Sequence, residues 1–208
     1  ITRHAITNYG SLLQAVATQR LVENLGYACE VIDYIREDET YQNQERTLLK
    51  CKPAFNGNAL KRIMYLALRQ RASVKSGEKF ETMRKKYLHL TRWYSKLSQL
   101  EQDKPQADVY MTGSDQVWGP VMDGTYDSAY CLSFTADCDR RIAFAASFGR
   151  TKLTQETEAF YKKWLSRYAA IAVREDSAVQ LLNSWGLQAK QAIDPTLMLD
   201  TTYWNKFT

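Results

Sequence analysis

The residues that could do chemistry are polar or small, and the first group lies near the start of the chain. His4 is followed by Asn8, Tyr9 and Gly10, where a helix is about to begin. Gly10 lets the backbone approach a ligand, and the free N–H groups of a helix start favour an anion or a hydroxyl group. Histidine transfers protons near neutral pH. A glycine before a helix is common, so this segment alone predicts only a candidate binding turn, with His4 as a candidate acid or base.

A second group follows a short apolar run at residues 107–112 that predicts a strand. It consists of four consecutive residues, Gly113, Ser114, Asp115 and Gln116. The glycine permits a sharp exit from the strand, and the next three residues place hydrogen-bonding side chains in a row. We expect Asp115 to be catalytic and the others to bind substrate. The alternative is a turn capped by Ser114 or Asp115, with Trp118 in the core.

Two further strand ends carry candidate binding residues. Ser147, Phe148 and Gly149 follow the predicted strand 141–146, and Arg174 follows the predicted strand 170–173. A guanidinium group can bind a phosphate or a carboxylate through two parallel hydrogen bonds. The alternatives are a simple turn at 147–149 and an ion pair between Arg174 and a neighbouring carboxylate.

The elements that must position these residues alternate between strands and helices. Strands are predicted at 27–34, 107–112, 141–146, 170–173 and 189–193, and helices at 11–26, 59–72, 78–87, 95–100, 155–168 and 176–184. Such alternation predicts an α/β fold, a Rossmann-like and mostly parallel sheet with helices on both faces. The first strand is nearly absent before His4, and residues of about 59–104 form an inserted helical layer. In such a sheet, ligands gather at the carboxyl ends of the strands.

Composition fits one globular domain. The 208 residues are 45% hydrophobic and 25% charged. No run approaches the roughly 18 consecutive apolar residues of a membrane helix, and the start does not resemble a secretion signal. We therefore expect a cytoplasmic protein. Cys29, Cys51, Cys131 and Cys138 lack the short spacing of zinc or redox sites, so we expect reduced thiols, with Cys29 in a strand and Cys51 in a loop.

Positive charge is concentrated in the helical layer. The net charge is +5, and residues 60–104 hold twelve Lys or Arg and four Asp or Glu, a local charge of +8 that leaves −3 for the rest. Such a segment can attract phosphates, nucleic acid or an anionic membrane face. The alternative is a pair of solvated surface helices, since the charges surround an apolar face.

Five segments, in this order, resemble the polysaccharide pyruvyl transferase family. They are residues 8–10 (Asn-Tyr-Gly) with 13–15 (Leu-Gln-Ala), 113–118 (Gly-Ser-Asp-Gln-Val-Trp), 145–149 (Ala-Ala-Ser-Phe-Gly), 173–175 (Val-Arg-Glu) and 194–197 (Asp-Pro-Thr-Leu). Residues 79–80 (Lys-Phe) and 90–91 (Leu-Thr) in the helical layer add to the resemblance. The resemblance runs over nearly the whole chain. It implies the N-terminal lobe of a two-lobed, glycosyltransferase-B-like enzyme, with residues 1–200 as the lobe and 201–208 as the start of a linker to a C-terminal lobe.

The resemblance also implies an activity, the transfer of a pyruvyl group from phosphoenolpyruvate to hydroxyls of a sugar or polysaccharide-repeat acceptor in surface polysaccharide assembly. No cofactor beyond this donor and no metal is expected, and the chain alone should be inactive because the family's second lobe helps to hold the donor. The residues themselves form no recognisable triad, metal cluster or phosphate-binding loop. Two other functions remain open, a non-catalytic binding module of the same fold and a nucleic-acid binder that uses the basic helices.

Overall fold

The computed structural model describes residues 1–52, 55 and 57–207. Within these ranges, six strands form two parallel sheets. In the first, β1 (Val31–Tyr34) pairs with β2 (Leu90–Tyr94). In the second the order is β3-β4-β5-β6, with these strands at Val109–Thr112, Arg140–Ala146, Ala170–Val173 and Ala189–Gln191. The prediction of an α/β fold with parallel strands is confirmed.

The first residues of the chain lie at the edge of β3. The nitrogen of Ile1 donates to Met111 O at 2.7 Å, and Gly113 N donates to Ile1 O at 2.8 Å. This is the hydrogen-bond pattern of a parallel neighbour. On the other side, His4 Nε2 lies 3.2 Å from Ile32 O in β1. Residues 1–4 therefore lie between β3 and β1 and connect the two sheets, an arrangement consistent with a Rossmann-like fold.

Seven α-helices are present in the described part of the chain. They are α1 (Tyr9–Asn24), α2 (Gln44–Lys50), α3 (Ala59–Tyr87), α4 (Leu97–Gln102), α5 (Gln155–Leu165), α6 (Asp176–Ser184) and α7 (Thr201–Trp204). Short 3-10 turns lie at Ser128–Cys131, Pro195–Leu197 and Asn205–Phe207. Asn8 begins α1 by accepting from Gly10 N at 2.8 Å, and Gly26, with φ of +89°, follows its end.

Three predictions within the first half of the chain are wrong. Residues 59–72 and 78–87 belong to one continuous helix, α3, and β2 lies where only a turn between the helices 78–87 and 95–100 was expected. The gap that was expected between the first two helices contains Gly77, which instead packs closely inside α3, since a Cβ added there would collide with Cβ of Tyr41. Cys29 precedes β1 rather than lying in a strand, because β1 begins only at Val31.

The main core packs the second sheet against α5, α6 and the segment after β3. Its largest buried side chains include Trp118 and Phe148, whose ring centroids lie 5.0 Å apart. A smaller apolar cluster joins α1 to α3 and β1. The four cysteines are free, as the sequence predicts, and Cys51 follows α2 in a turn. None of the helices in the described ranges is long and apolar enough to cross a membrane.

Candidate functional site

The carboxyl ends of three neighbouring strands continue side by side beyond the sheet. Asp115 forms a parallel bridge with Ala146, and Ser147 N donates to Asp115 O at 3.0 Å. Arg174 N donates in turn to Ala146 O at 3.1 Å. These bonds fix the loops after β3, β4 and β5 in one register. The predicted convergence of these loops at one edge of the sheet is therefore present in the backbone.

The carboxylate of Asp115 is held through both of its oxygens. Ser11 Oγ donates to Oδ2 at 2.7 Å, and Gln116 N donates to Oδ1 at 2.7 Å. The backbone of Asp115 has φ of +85°, a left-handed conformation that is unfavourable for most residues other than glycine and is often stored at functional sites. Strain and hydrogen bonds together set the direction in which this carboxylate points.

Arg174 is paired with Asp194. Its Nη1 donates to Asp194 Oδ2 at 2.7 Å, while Thr196 donates to the other oxygen from its N at 3.0 Å and its Oγ1 at 2.7 Å. Burial alone would raise the pKa of Asp194, but the hydrogen bonds from Thr196 and Arg174 outweigh burial and hold the pKa below its ordinary value. The ion pair with a neighbouring carboxylate, considered from the sequence, is present with Asp194.

These groups surround one cleft of about 320 Å³. Its lining includes Asn8, Gly10, Ser11, Asp115, Arg174 and Asp194. The first turn of α1 borders the cleft. It contains no acidic residue, so no side chain within the turn neutralises the partial positive charge of this helix end. A guanidinium group paired with Asp194, a helix start and an oriented carboxylate therefore face one space, an arrangement that can bind a polar ligand and accept a proton from it.

The loop after β4 lies next to the cleft, since Ser147 N donates to Asp115 O. Phe148 is buried against Trp118, and Ser147 Oγ donates to Glu175 Oε1 at 2.6 Å while accepting from Gly149 N at 2.9 Å. Gly149 has φ of +64°, and a Cβ there would lie 2.7 Å from Cδ of Gln116. These side-chain contacts are with neighbours of the residues that line the cleft, and the predicted contact of Ser147, Phe148 and Gly149 with substrate stays a prediction.

The remaining predicted binding residues are near the cleft without lining it. Gly113 packs against the start of the chain, where a Cβ would lie 3.2 Å from Cβ of Thr2. Ser114 is fully buried, and its carbonyl accepts from Thr2 Oγ1 at 2.6 Å. Gln116 is exposed beside Gly149. Tyr9 is 62% exposed, with its ring edge-on to Phe80 at 6.2 Å.

His4 is not brought to the cleft, contrary to the expectation from sequence. Its side chain is fully buried, with Nε2 at 3.2 Å from Ile32 O and Nδ1 at 3.3 Å from Arg84 Nη1. Arg84 also donates to Asp33 Oδ1 at 2.6 Å and to Glu81. Burial, followed by the positive charge of Arg84, lowers the pKa of His4 to about 3. A neutral, enclosed imidazole joins the start of the chain to β1 and α3, and we assign it a packing role.

Several residues that line the cleft were not singled out from the sequence as site residues. Ser11 follows Gly10 directly, and Asp194 and Thr196 belong to the Asp-Pro-Thr-Leu segment. Gln14 also lines the cleft, and its Nε2 donates to Thr2 Oγ1 at 2.9 Å and to Ser11 O at 2.8 Å. The segment 194–197 contributed to the resemblance, and its position directly after the last strand is the signal that could have placed it at the site.

The described residues contain no group of three or more His, Cys, Asp or Glu arranged to hold a metal ion. Fold and cleft together define an α/β protein with a polar cleft at the carboxyl ends of a parallel sheet, the position where proteins of this class bind their ligands. The chain belongs to the polysaccharide pyruvyl transferase family, whose model matches residues 8–208. No curated protein and no solved structure matches the chain significantly.

Proposed function

We propose that the complete protein transfers a pyruvyl group from phosphoenolpyruvate to hydroxyl groups of a sugar acceptor in surface polysaccharide assembly. The family supports a transferase of this kind. The observation that carries the proposal is the convergence of Asp115 and Arg174 on one cleft beside the first turn of α1. The proposed site of action is the cytoplasm, and no cofactor other than the donor is required.

The chemistry of this transfer calls for the groups that the cleft offers. Protonation of the donor's methylene carbon yields a methyl group and an oxocarbenium-like carbon beside it. One sugar hydroxyl adds to that carbon and loses its proton, phosphate leaves with its bonding electron pair, and a second hydroxyl closes the ketal and loses its proton. The site therefore needs cations for the carboxylate and phosphate of the donor, and acid and base groups for the protons.

We assign these roles to the residues that the cleft contains. Arg174 and the first turn of α1 bind the anionic groups of the donor. Asp115, oriented by Ser11 and by Gln116 N, accepts a proton from an attacking hydroxyl. Asn8 and Gln116, which are exposed beside the cleft, provide hydrogen bonds for the acceptor. By analogy with the family, a second lobe of a glycosyltransferase-B-like enzyme covers the cleft and supplies the remaining donor contacts.

Donor affinity and turnover of the complete protein test this proposal. Calorimetry with phosphoenolpyruvate should show binding that falls about 10- to 100-fold in Arg174→Ala, since a hydrogen bond to a charged group contributes about 1.5–3 kcal/mol. The matched control is Arg140→Ala, an exposed arginine at the opposite end of β4. Unchanged donor affinity in Arg174→Ala would remove Arg174 from the donor site.

The carboxylate is tested separately. Asp115→Asn should lower turnover about 100-fold or more, the usual contribution of a general base, and leave the unfolding midpoint nearly unchanged. A normal rate would leave Asp115 as a turn residue. Donor binding by the complete protein with no detectable ketal product on any sugar acceptor would instead identify a non-catalytic module of the same fold.

A further inference from the structure

The first half of α3 exposes a row of large apolar side chains. Leu60, Ile63, Met64 and Leu68 have 75%, 66%, 54% and 74% of their surface exposed. Their spacing of three, four and eight positions places them on one face of the helix. We call these four residues the α3 stripe. Scattered single exposed leucines are ordinary, but a contiguous apolar row marks a surface that contacts another apolar body.

The stripe lies opposite the face by which α3 is attached to the protein. Tyr65 is buried, and its hydroxyl donates to Glu45 Oε2 of α2 at 2.8 Å. One and a half turns further on, Gln70 Nε2 donates to Gln42 O at 2.7 Å. These contacts fix the rotation of the helix about its axis. Most of the stripe is therefore turned away from α2, and only Leu68, at its edge, also borders a cleft beside Gln44 and Glu45.

Positive charge accompanies the stripe. Residues 59–77 contain five basic residues and no Asp or Glu, namely Lys61, Arg62, Arg69, Arg71 and Lys75. Arg71 and Lys75 continue the row of the stripe, at positions eleven and fifteen residues after Leu60, and both are exposed. An apolar face bordered by Lys and Arg is the pattern of a helix that lies in a membrane interface, with its apolar side chains below the headgroups and its cations among anionic lipids.

We propose that the α3 stripe and its basic border bind the surface of an anionic lipid bilayer, with α3 lying in the plane of the membrane. The charge argues against a second copy of the chain, since two such faces would bring Arg71 and Lys75 of one copy close to the same cations of the other. Nucleic acid is disfavoured because aliphatic side chains offer bases no aromatic surface to stack on. This inference concerns a surface separate from the cleft and does not depend on the proposed transfer reaction.

Co-sedimentation with vesicles tests the inference on the complete protein. We expect binding to an equimolar mixture of phosphatidylcholine and phosphatidylglycerol at low salt, and much weaker binding to phosphatidylcholine alone. Added salt should weaken the binding because it screens the charges. The double variant Leu60→Gln/Leu68→Gln should bind anionic vesicles about tenfold more weakly or worse, since each leucine loses most of its favourable burial. The matched control is Leu25→Gln, which changes an equally exposed leucine after α1.

The basic border is tested in the same assay. Arg71→Gln/Lys75→Gln should weaken binding to anionic vesicles by roughly fivefold per charge removed. Lys190→Gln, at an exposed position of β6, should leave it unchanged. All substituted positions are exposed, and circular dichroism of each variant verifies that the fold is retained.

Four outcomes would overturn the proposal. These are absence of vesicle binding, equal binding to neutral and anionic vesicles, full binding by the double leucine variant, and a dimer in sedimentation equilibrium that this variant dissociates. Binding to a single-stranded oligonucleotide that the basic substitutions abolish and the leucine substitutions leave intact would assign the border to nucleic acid instead.

Discussion

Ser11 Oγ donates a hydrogen bond of 2.7 Å to Oδ2 of Asp115, across a separation of 104 positions in the sequence. The bond joins the first turn of α1 to the loop after β3. Since Gln116 N occupies the other carboxylate oxygen, Ser11 is the side chain that selects the orientation of the candidate catalytic group. We therefore regard Ser11 as a positioning residue.

Ser11→Ala should lower turnover of the complete protein about tenfold, because the Asp115 carboxylate loses a hydrogen bond of the charge-assisted kind, which contributes about 1.5–3 kcal/mol. Ser166→Ala, which changes an exposed serine at the end of α5, should leave turnover unchanged. An unaltered rate in Ser11→Ala would show that Asp115 is oriented without it.

Asp194→Asn should destabilise the protein in a manner that depends on pH. Because the folded-state pKa of Asp194 is lowered, its carboxylate contributes stability above the unfolded-state pKa of about 3.9, and this contribution is lost as the pH falls through the folded-state pKa. We expect a loss of about 1 kcal/mol at pH 7 that largely disappears in strong acid. Urea unfolding at both pH values measures it, with the exposed Asp176→Asn as the control. Equal losses at the two pH values would contradict the assignment.

The buried His4 should make the free energy of unfolding fall in weak acid. Its folded-state pKa is lowered to about 3, so protonation favours the unfolded chain at every pH below the unfolded-state value of about 6.5. Each pH unit within that window should remove up to about 1.4 kcal/mol from the free energy of unfolding. His4→Gln should flatten this dependence, whereas His89→Gln, at an exposed position, should preserve it. A dependence that persists unchanged in His4→Gln would point to other groups.

Gly77→Ala should destabilise the protein, although alanine is the better helix former by about 1 kcal/mol. The added methyl group would collide with Tyr41 at the base of its side chain, and overpacking of this kind costs about 1–3 kcal/mol. A net loss of about 1–2 kcal/mol in thermal or urea unfolding is expected, against no loss for the exposed neighbour Ser76→Ala. A stabilised Gly77→Ala would mean that Tyr41 moves away freely.

The strand ends were predictable from sequence because they combine local signals. Short apolar runs precede Gly113, Ser147 and Arg174, and the carboxyl ends of parallel strands meet at one edge. The partners of those residues were not predictable. The bonds from Ser11 to Asp115 and from Arg174 to Asp194 join residues 104 and 20 positions apart, and no local pattern encodes them.

The errors have equally specific causes. Strand β2 follows a long basic helix and exposes Trp93, so its apolar pattern does not stand out from that of the helix. Glycine is typical of turns, but Gly77 lies within a helix because only a residue without a side chain fits against Tyr41. Histidine is a common catalytic residue, so its place near the start of α1 favoured a catalytic role for His4. Its partner Arg84 lies 80 positions away in the sequence, and no local pattern reveals that this pairing buries the imidazole.

The pairing of Arg174 with Asp194 means that the cleft contains a built-in counter-ion for its guanidinium group. A small inorganic anion that meets a guanidinium group already neutralised in this way gains little, because it must compete with a carboxylate held at 2.7 Å. A ligand that also contacts the start of α1 and Asp115 gains further interactions, and these can compensate for displacing the Asp194 carboxylate from Arg174. We therefore expect chloride and free phosphate to bind in this cleft more weakly than a ligand that contacts Arg174, Asp115 and the start of α1 together.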